Sequence, residues 1–193
     1  MPGKPQIKSI SNPLHRELIH TVIESVVLVF IGAAAIWLHA RWRWGISIPG
    51  HHGLEFMILL MTSRIHTRQR FSSLWFMLGA GLMIAMPFMG FKNPVAAVGY
   101  LLPAVFLDAG YLLIPRLSRK VLWLMILGGL AYLTIPLYRL GLSWITSIPY
   151  PTAIRYGTPL IPLAGFLVFG MAGSFLGAGF SFGICKRKFS NHA

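Results

Sequence analysis

Ile48-Pro-Gly-His-His-Gly-Leu-Glu-Phe-Met-Ile-Leu-Leu-Met-Thr-Ser-Arg64 decides how this chain is laid out. Its apolar core, residues 54–62, is short, and Pro49 is placed to set a first helical turn. From Pro49 to Arg64, at 1.5 Å per residue, a helix reaches about 24 Å. That is less than the hydrocarbon thickness of about 30 Å. The surrounding charge settles whether the segment crosses. If it does, the polar segments alternate rich and poor in Lys and Arg, with 12 of the 17 basic residues on one side and 5 on the other. If it does not, every later loop changes sides, leaving 6 inside and 11 outside. Basic residues resist translocation, so the alternating arrangement is the expected one and its richer side is cytoplasmic.

The expected fold is therefore all-α: a single polytopic membrane domain over residues 1–193, with six transmembrane helices and both termini cytoplasmic. After a cytoplasmic tail over 1–17, the spans are expected at about 18–40, 49–64, 72–91, 94–115, 121–141 and 158–184. Composition agrees, with 55% hydrophobic and 11% charged residues and a mean hydropathy of +0.68, values of a membrane-embedded chain. Six spans use nearly all 193 residues and leave no room for a soluble catalytic domain. The formal net charge of +13 sits at span ends, where it sets orientation and meets anionic headgroups; no nucleic acid is expected. The single cysteine, Cys185, forms neither an internal disulfide nor a cysteine metal cage. The first apolar run exceeds a signal-peptide core and reads as a retained helix.

A short second helix that starts below the outer surface leaves a recess above it. The Trp42-Arg43-Trp44 loop would roof it and Gly50-His51-His52-Gly53 would floor it. His51, His52 and Glu55 fall within one helical turn, because residues three and four apart share a face. Two imidazoles and a carboxylate there suit a small polar ligand. The next reading is a helix cap among headgroups, and the last a divalent metal. Trp44, Tyr100, Trp144 and Arg155 are expected to line or cover this outer site. The zinc-protease pattern His-Glu-x-x-His is absent, as is its inverted form.

The chain has four acids, Glu17, Glu24, Glu55 and Asp108. An ionisable group within a span costs about 2.5–3.5 kcal/mol unless partnered. Glu24 and Asp108 lie at similar depth near the inner side, where Arg64 closes the second span. A buried Glu24/Arg64/Asp108 cluster is expected, either as a structural ion pair or as a proton relay. His20 and His66 also lie near the inner face and keep a haem site open as an alternative. In the last span Gly170, Ser174 and Ala178 recur every four residues, and Gly173 and Gly177 do so beside them. Gly32 and Ala33 begin a smooth patch in the first span. Small residues at this spacing let helix backbones approach closely, either inside the bundle or against a partner protein.

Six short spans in under 200 residues, Ile48-Pro-Gly-His-His-Gly-Leu54, Tyr100-Leu-Leu-Pro-Ala-Val-Phe-Leu-Asp108 and the glycine-rich Phe169-Gly-Met-Ala-Gly-Ser-Phe-Leu-Gly177 together resemble the substrate-binding S components of energy-coupling factor transporters. The resemblance implies a membrane subunit of a prokaryotic inner membrane that captures a vitamin, precursor or metal from outside. It also implies a transmembrane coupling subunit and two ATPases as partners. One feature departs. The family's first helix carries alanines four apart, whereas Gly32 to Ala35 are followed four residues later by Ile36, Trp37, Leu38 and His39. Met1-Pro2-Gly3 also lacks the N-terminal histidine motif of the metal-specific branch.

The expected function is thus uptake of a small polar molecule through an outward-facing pocket, with the lipid bilayer as surroundings. No enzyme activity and no cofactor are expected. No Gly-x-x-x-x-Gly-Lys-Ser/Thr loop occurs, so energy comes from a partner or a gradient. The alternatives are a haem- or metal-binding redox or enzyme subunit, and a structural subunit of a larger membrane complex.

Overall fold

A computed structural model describes residues 13–41, 48–89, 98–114, 120–146 and 157–190, and side chains within them except those of 13, 39, 89 and 184–190. The described residues form six α-helices and one short 3-10 turn, with no strand. They are α1 (Pro13–Arg41), α2 (Gly53–His66), α3 (Ser72–Ala85), α4 (Leu102–Leu113), α5 (Val121–Thr146) and α6 (Leu160–Ser190), with the turn η1 (Pro87–Met89) after α3. Three helices are long and apolar enough to cross a membrane, over Leu14–Leu38, Val121–Thr146 and Leu160–Gly183. This marks a membrane-embedded chain.

The other three helices are shorter than the spans expected from hydropathy, and the reasons are local. α2 starts at Gly53, not at Pro49. Gly50 takes a φ of 84°, a left-handed conformation that suits glycine, and turns the chain before the helix begins. The Gly53 N–H then bonds the Gly50 carbonyl at 2.7 Å. α3 ends at Ala85 because Pro87 follows. Met86 has φ −72° and ψ 128°, the extended backbone that a residue before proline adopts. α4 begins at Leu102 with Pro103 in its first turn, where the missing proline N–H costs nothing. At 1.5 Å per residue, helices of 14, 14 and 12 residues reach only about 18–21 Å.

Helix direction alternates along the chain, as paired contacts show. Asp108 meets Ser73 while Leu101 lies by Gly81, so α3 and α4 are antiparallel. Gly110 faces Leu127 and Gly99 faces Tyr138, so α4 and α5 are antiparallel. Gly128 faces Ser174 and Gly170 faces Tyr132, which gives α5 and α6 the same relation. α2 and α6 run parallel: Gly173 lies against Leu54 and Gly177 against Ile58. One end of the bundle therefore gathers the C-terminus of α2 and the N-termini of α1, α3 and α5. The other gathers the start of α2 and α6 with the end of α5.

α2 is the central helix, touching α1, α3, α5 and α6. Its buried residues Gly53, Phe56, Met57, Leu60, Met61 and Arg64 recur every three or four positions, the spacing of one helix face. Methionines fill much of this core, with Met57, Met61 and Met77 fully buried; their unbranched side chains adapt to irregular gaps. Outside, Val22, Val26 and Phe30 on α1, Leu78 and Leu82 on α3 and Phe175 and Phe180 on α6 are exposed. Apolar surface on this scale requires a covering, and lipid supplies it to a membrane chain.

The small residues singled out in the sequence pack within the bundle. A Cβ on Gly32 would strike the Phe76 carbonyl of α3, and one on Gly170 would lie 2.7 Å from the Tyr132 Cβ of α5. Gly173 and Gly177 seat on α2, their added Cβ falling 2.6 Å from the Leu54 carbonyl oxygen and 2.7 Å from that of Ile58. Ser174 and Ala178 are fully buried, and Ala33 is half-buried.

Candidate functional site

Two polar clusters occupy opposite ends of the bundle. At the end where α2 finishes, Arg64 and Asp108 form an ion pair, Nε to Oδ1 at 3.1 Å, with side chains 8% and 2% exposed. Neither charge stands alone. Asp108 accepts the Ser73 N–H at 3.3 Å and the Leu74 N–H at 3.1 Å, two amides in the first turn of α3 that have no partner within the helix. Arg64 donates to the Gln69 carbonyl at 2.9 Å, to Ser72 Oγ at 3.0 Å and to the Arg70 carbonyl at 3.5 Å. Its guanidinium also lies 4.2 Å from the centroid of the Tyr111 ring. One ion pair thus joins α2, the 67–71 turn, the start of α3 and the middle of α4. The expected third member, Glu24, is placed elsewhere: its carboxylate lies 3.6 Å from His20 Nδ1, one turn back on α1.

At the other end, the residues before α2 fold back on α6. A Cβ on Gly50 would lie 2.7 Å from the Phe166 backbone nitrogen, so this turn sits directly on the start of α6. The His51 and His52 rings lie against each other, centroids 3.7 Å apart and planes tilted by 38°. His51 Nδ1 is 2.6 Å from the Ile48 carbonyl oxygen, while its Nε2 is buried without a hydrogen bond. His52 and Glu55 are both engaged by neighbours. Among the described residues no group of three His, Cys, Asp or Glu side chains gathers as metal ligands would, so His51, His52 and Glu55 are not arranged as a metal cage.

Below these residues lies an aromatic floor. Phe56 of α2 packs edge-on against Phe76 at 5.6 Å and against Tyr100 at 6.4 Å. Tyr132 of α5 stacks on Phe166 at 5.0 Å and lies against the position of Gly53. The Tyr132 hydroxyl is within electrostatic reach of Tyr100, Arg139 and Glu55, and the Arg139 guanidinium lies 5.8 Å from the Tyr100 ring centroid. Glu55, Arg139 and Tyr100 thus lie within electrostatic range of Tyr132, at the end of the bundle that carries the two imidazoles. This set can hydrogen-bond and charge-match a small polar molecule.

Of the expected lining residues, Tyr100 is in this cluster. Trp144 is not: it stands 80% exposed on the last turn of α5, beyond the helix face that carries Tyr132 and Arg139. Trp44 and Arg155 lie outside the described residues, as does the Trp42–Trp44 loop. Tyr132 and Arg139 were not anticipated. Their signal was present in the seven-residue spacing, two turns on one helix face. Pro136 between them removes the amide that would otherwise bond the Tyr132 carbonyl.

Comparison with protein-family models, curated proteins and solved structures finds no match for this chain.

Proposed function

We propose that this chain is a membrane-embedded substrate-capture subunit that takes up a small polar molecule at the His51 end of its bundle. The observation that carries the reading is the set of Glu55, Tyr100 and Arg139 within electrostatic range of Tyr132, over an aromatic floor at the end that carries His51 and His52. Small-ligand sites are mostly apolar with a few placed polar groups. The proposal includes six crossings with both termini cytoplasmic in a prokaryotic inner membrane. The alternating helix directions and the 12-to-5 division of basic residues support it. Short α2, α3 and α4 would then cross as helix plus connecting segments, enclosed by the longer helices. In keeping with the family resemblance, the proposed role is that of an S component of an energy-coupling factor transporter, with a coupling subunit and two ATPases supplying the energy.

The binding test uses purified full-length protein and a panel of vitamins, vitamin precursors and divalent metals. His52→Ala and Glu55→Ala are each expected to weaken binding at least tenfold, about 1.4 kcal/mol, with membrane insertion unchanged. Unchanged affinity in both variants would move the site elsewhere. Arg139→Gln is expected to weaken binding only of a ligand carrying an anionic group.

The topology test places single cysteines in a Cys185→Ser background. Cysteines in 64–70 and 116–120 are expected to resist membrane-impermeant thiol reagents in intact cells, and cysteines near Lys92 and Tyr150 to react. Labelling at Arg119 together with protection at Lys92 would overturn the six-crossing arrangement and with it the outward-facing site.

A further inference from the structure

At the end opposite the proposed capture site, a cleft of about 1060 Å³ lies between α1 and the turn that joins α2 to α3. On one wall Arg16, His20 and Glu24 recur every four residues of α1, so the three share a face, and Glu17 lines the cleft beside Arg16. On the other wall stand Arg68 and Arg70, with Trp75 beside them at the start of α3. Arg16, Arg68 and Arg70 have no salt bridge among the described residues, whereas Glu24 is turned to His20 at 3.6 Å. The cleft therefore presents three guanidiniums without a salt bridge against two carboxylates, Glu17 and Glu24, so cationic groups outnumber anionic ones.

The turn that carries two of them is held in place. Gln69, between Arg68 and Arg70, donates to the Thr21 carbonyl at 2.7 Å and accepts from Ser25 Oγ at 3.2 Å. Behind it, the buried Arg64 grips the Gln69 and Arg70 carbonyls. The backbone of the turn is thus fixed to both α1 and α2, and the two arginines extend from a rigid base. A guanidinium offers paired donors that match phosphate oxygens in a bidentate geometry. Rigid placement lowers the ordering cost of binding. The rim is apolar: Phe71 and Trp75 are exposed there, and Leu18, Ile19 and Val22 are exposed along the same part of α1. Tryptophan at such a rim is suited to the boundary between headgroups and acyl chains.

We propose that this cleft binds the phosphate group of an anionic lipid, with Arg16, Arg68 and Arg70 on the phosphate and the acyl chains along the exposed apolar residues of α1. A tetrapyrrole is a poorer fit despite His20 and His66 in the lining. Phe71 and Trp75 are the only large apolar residues there, too little wall for a haem face.

The test titrates delipidated full-length protein in detergent with short-chain phosphatidylglycerol, phosphatidylcholine and inorganic phosphate, read by native mass spectrometry and tryptophan fluorescence. Saturable binding of phosphatidylglycerol is expected, at least tenfold tighter than phosphatidylcholine. The pair Arg68→Gln/Arg70→Gln is expected to weaken it at least tenfold, and Arg68→Lys/Arg70→Lys to restore part. Lys120→Gln, which removes a charge at the same end outside the cleft, is expected to change affinity less than twofold. Inorganic phosphate that displaces the lipid locates recognition in the phosphate alone. Failure to displace it locates recognition in headgroup and chains together. Equal affinity for the two lipids, unchanged affinity in the double variant, or an equal loss with Lys120→Gln would overturn the proposal. If the double variant loses helicity or elutes as aggregate, Arg16→Gln, on a different helix, decides by the same criteria.

Discussion

Replacing Asp108 with alanine is expected to destabilise the fold by about 3–5 kcal/mol, the range for breaking a buried ion pair from one side. The reason is what it leaves behind. Arg64 remains inside the bundle as an uncompensated charge with a side chain 8% exposed. The Ser73 and Leu74 amides lose the acceptor that closes the first turn of α3. Asp108→Asn keeps the shape and an acceptor oxygen, so its loss is expected to be smaller, but still visible as lower folding yield. Replacing both partners, Arg64→Met with Asp108→Leu, removes the orphan charge and is expected to recover part of the stability. The measurement is reversible unfolding in mixed micelles, alongside ligand affinity for the proteins that fold. A variant at Asp108 that folds as wild type yet cannot transport would give the pair a mechanistic role in place of a structural one.

The same pair shows where sequence reasoning succeeds and where it stops. Asp108 and Arg64 could be matched because a charge inside an apolar run needs a partner at its own depth, and depth can be counted along a helix. Glu24 satisfies the same depth count but turns to His20, a neighbour on its own helix. Depth carries no information about which face of α1 looks inward. Likewise, hydropathy marked all six apolar stretches, yet it overestimated helices that a proline ends or interrupts, while α5 runs through Pro136 to Thr146, past its expected end at 141. The run over 72–91 is apolar throughout, but Pro87 lacks an N–H and forces Met86 into extended backbone. The run over 94–115 is helical at Val98 and Gly99, breaks at the turn of Tyr100 and Leu101, and is helical again from Leu102 with Pro103 in its first turn.

At the capture site, sequence reasoning chose residues for their rarity in a membrane, namely histidine and glutamate. It passed over Tyr132 and Arg139, which read singly as a core aromatic and a span-end charge. Their place beside Glu55 follows from the packing of α5 against α2, with Gly53 leaving room for the Tyr132 ring. Trp144 was chosen for its chemistry at the interface, and the helix rotation that brings Tyr132 and Arg139 inward turns it out.

The close fit of α1 on α3 supplies the other large expected effect. An added Cβ at Gly79 would strike the Val29 carbonyl oxygen and lie 2.7 Å from its carbon. The obstacle is helix backbone, which cannot move aside as the end of a side chain can. At the same crossing Gly32 meets the Phe76 carbonyl, so the two glycines are reciprocal halves of one contact. In lipid, helices associate through such close packing, with no hydrophobic gain to compensate a lost fit. Gly79→Ala is therefore expected to cost about 1–3 kcal/mol, the usual penalty of overpacking, and Gly79→Leu considerably more. Gly179 on α6 is the internal comparison, because nothing lies within 4 Å of a Cβ added there. Gly179→Ala is expected to be neutral or slightly stabilising, since alanine is the better helix former. Thermal unfolding in one detergent ranks the variants directly. Equal stability of Gly79→Ala and Gly179→Ala would mean that α1 and α3 are not in backbone contact, and the wall of the arginine cleft that α1 provides would have to be placed anew.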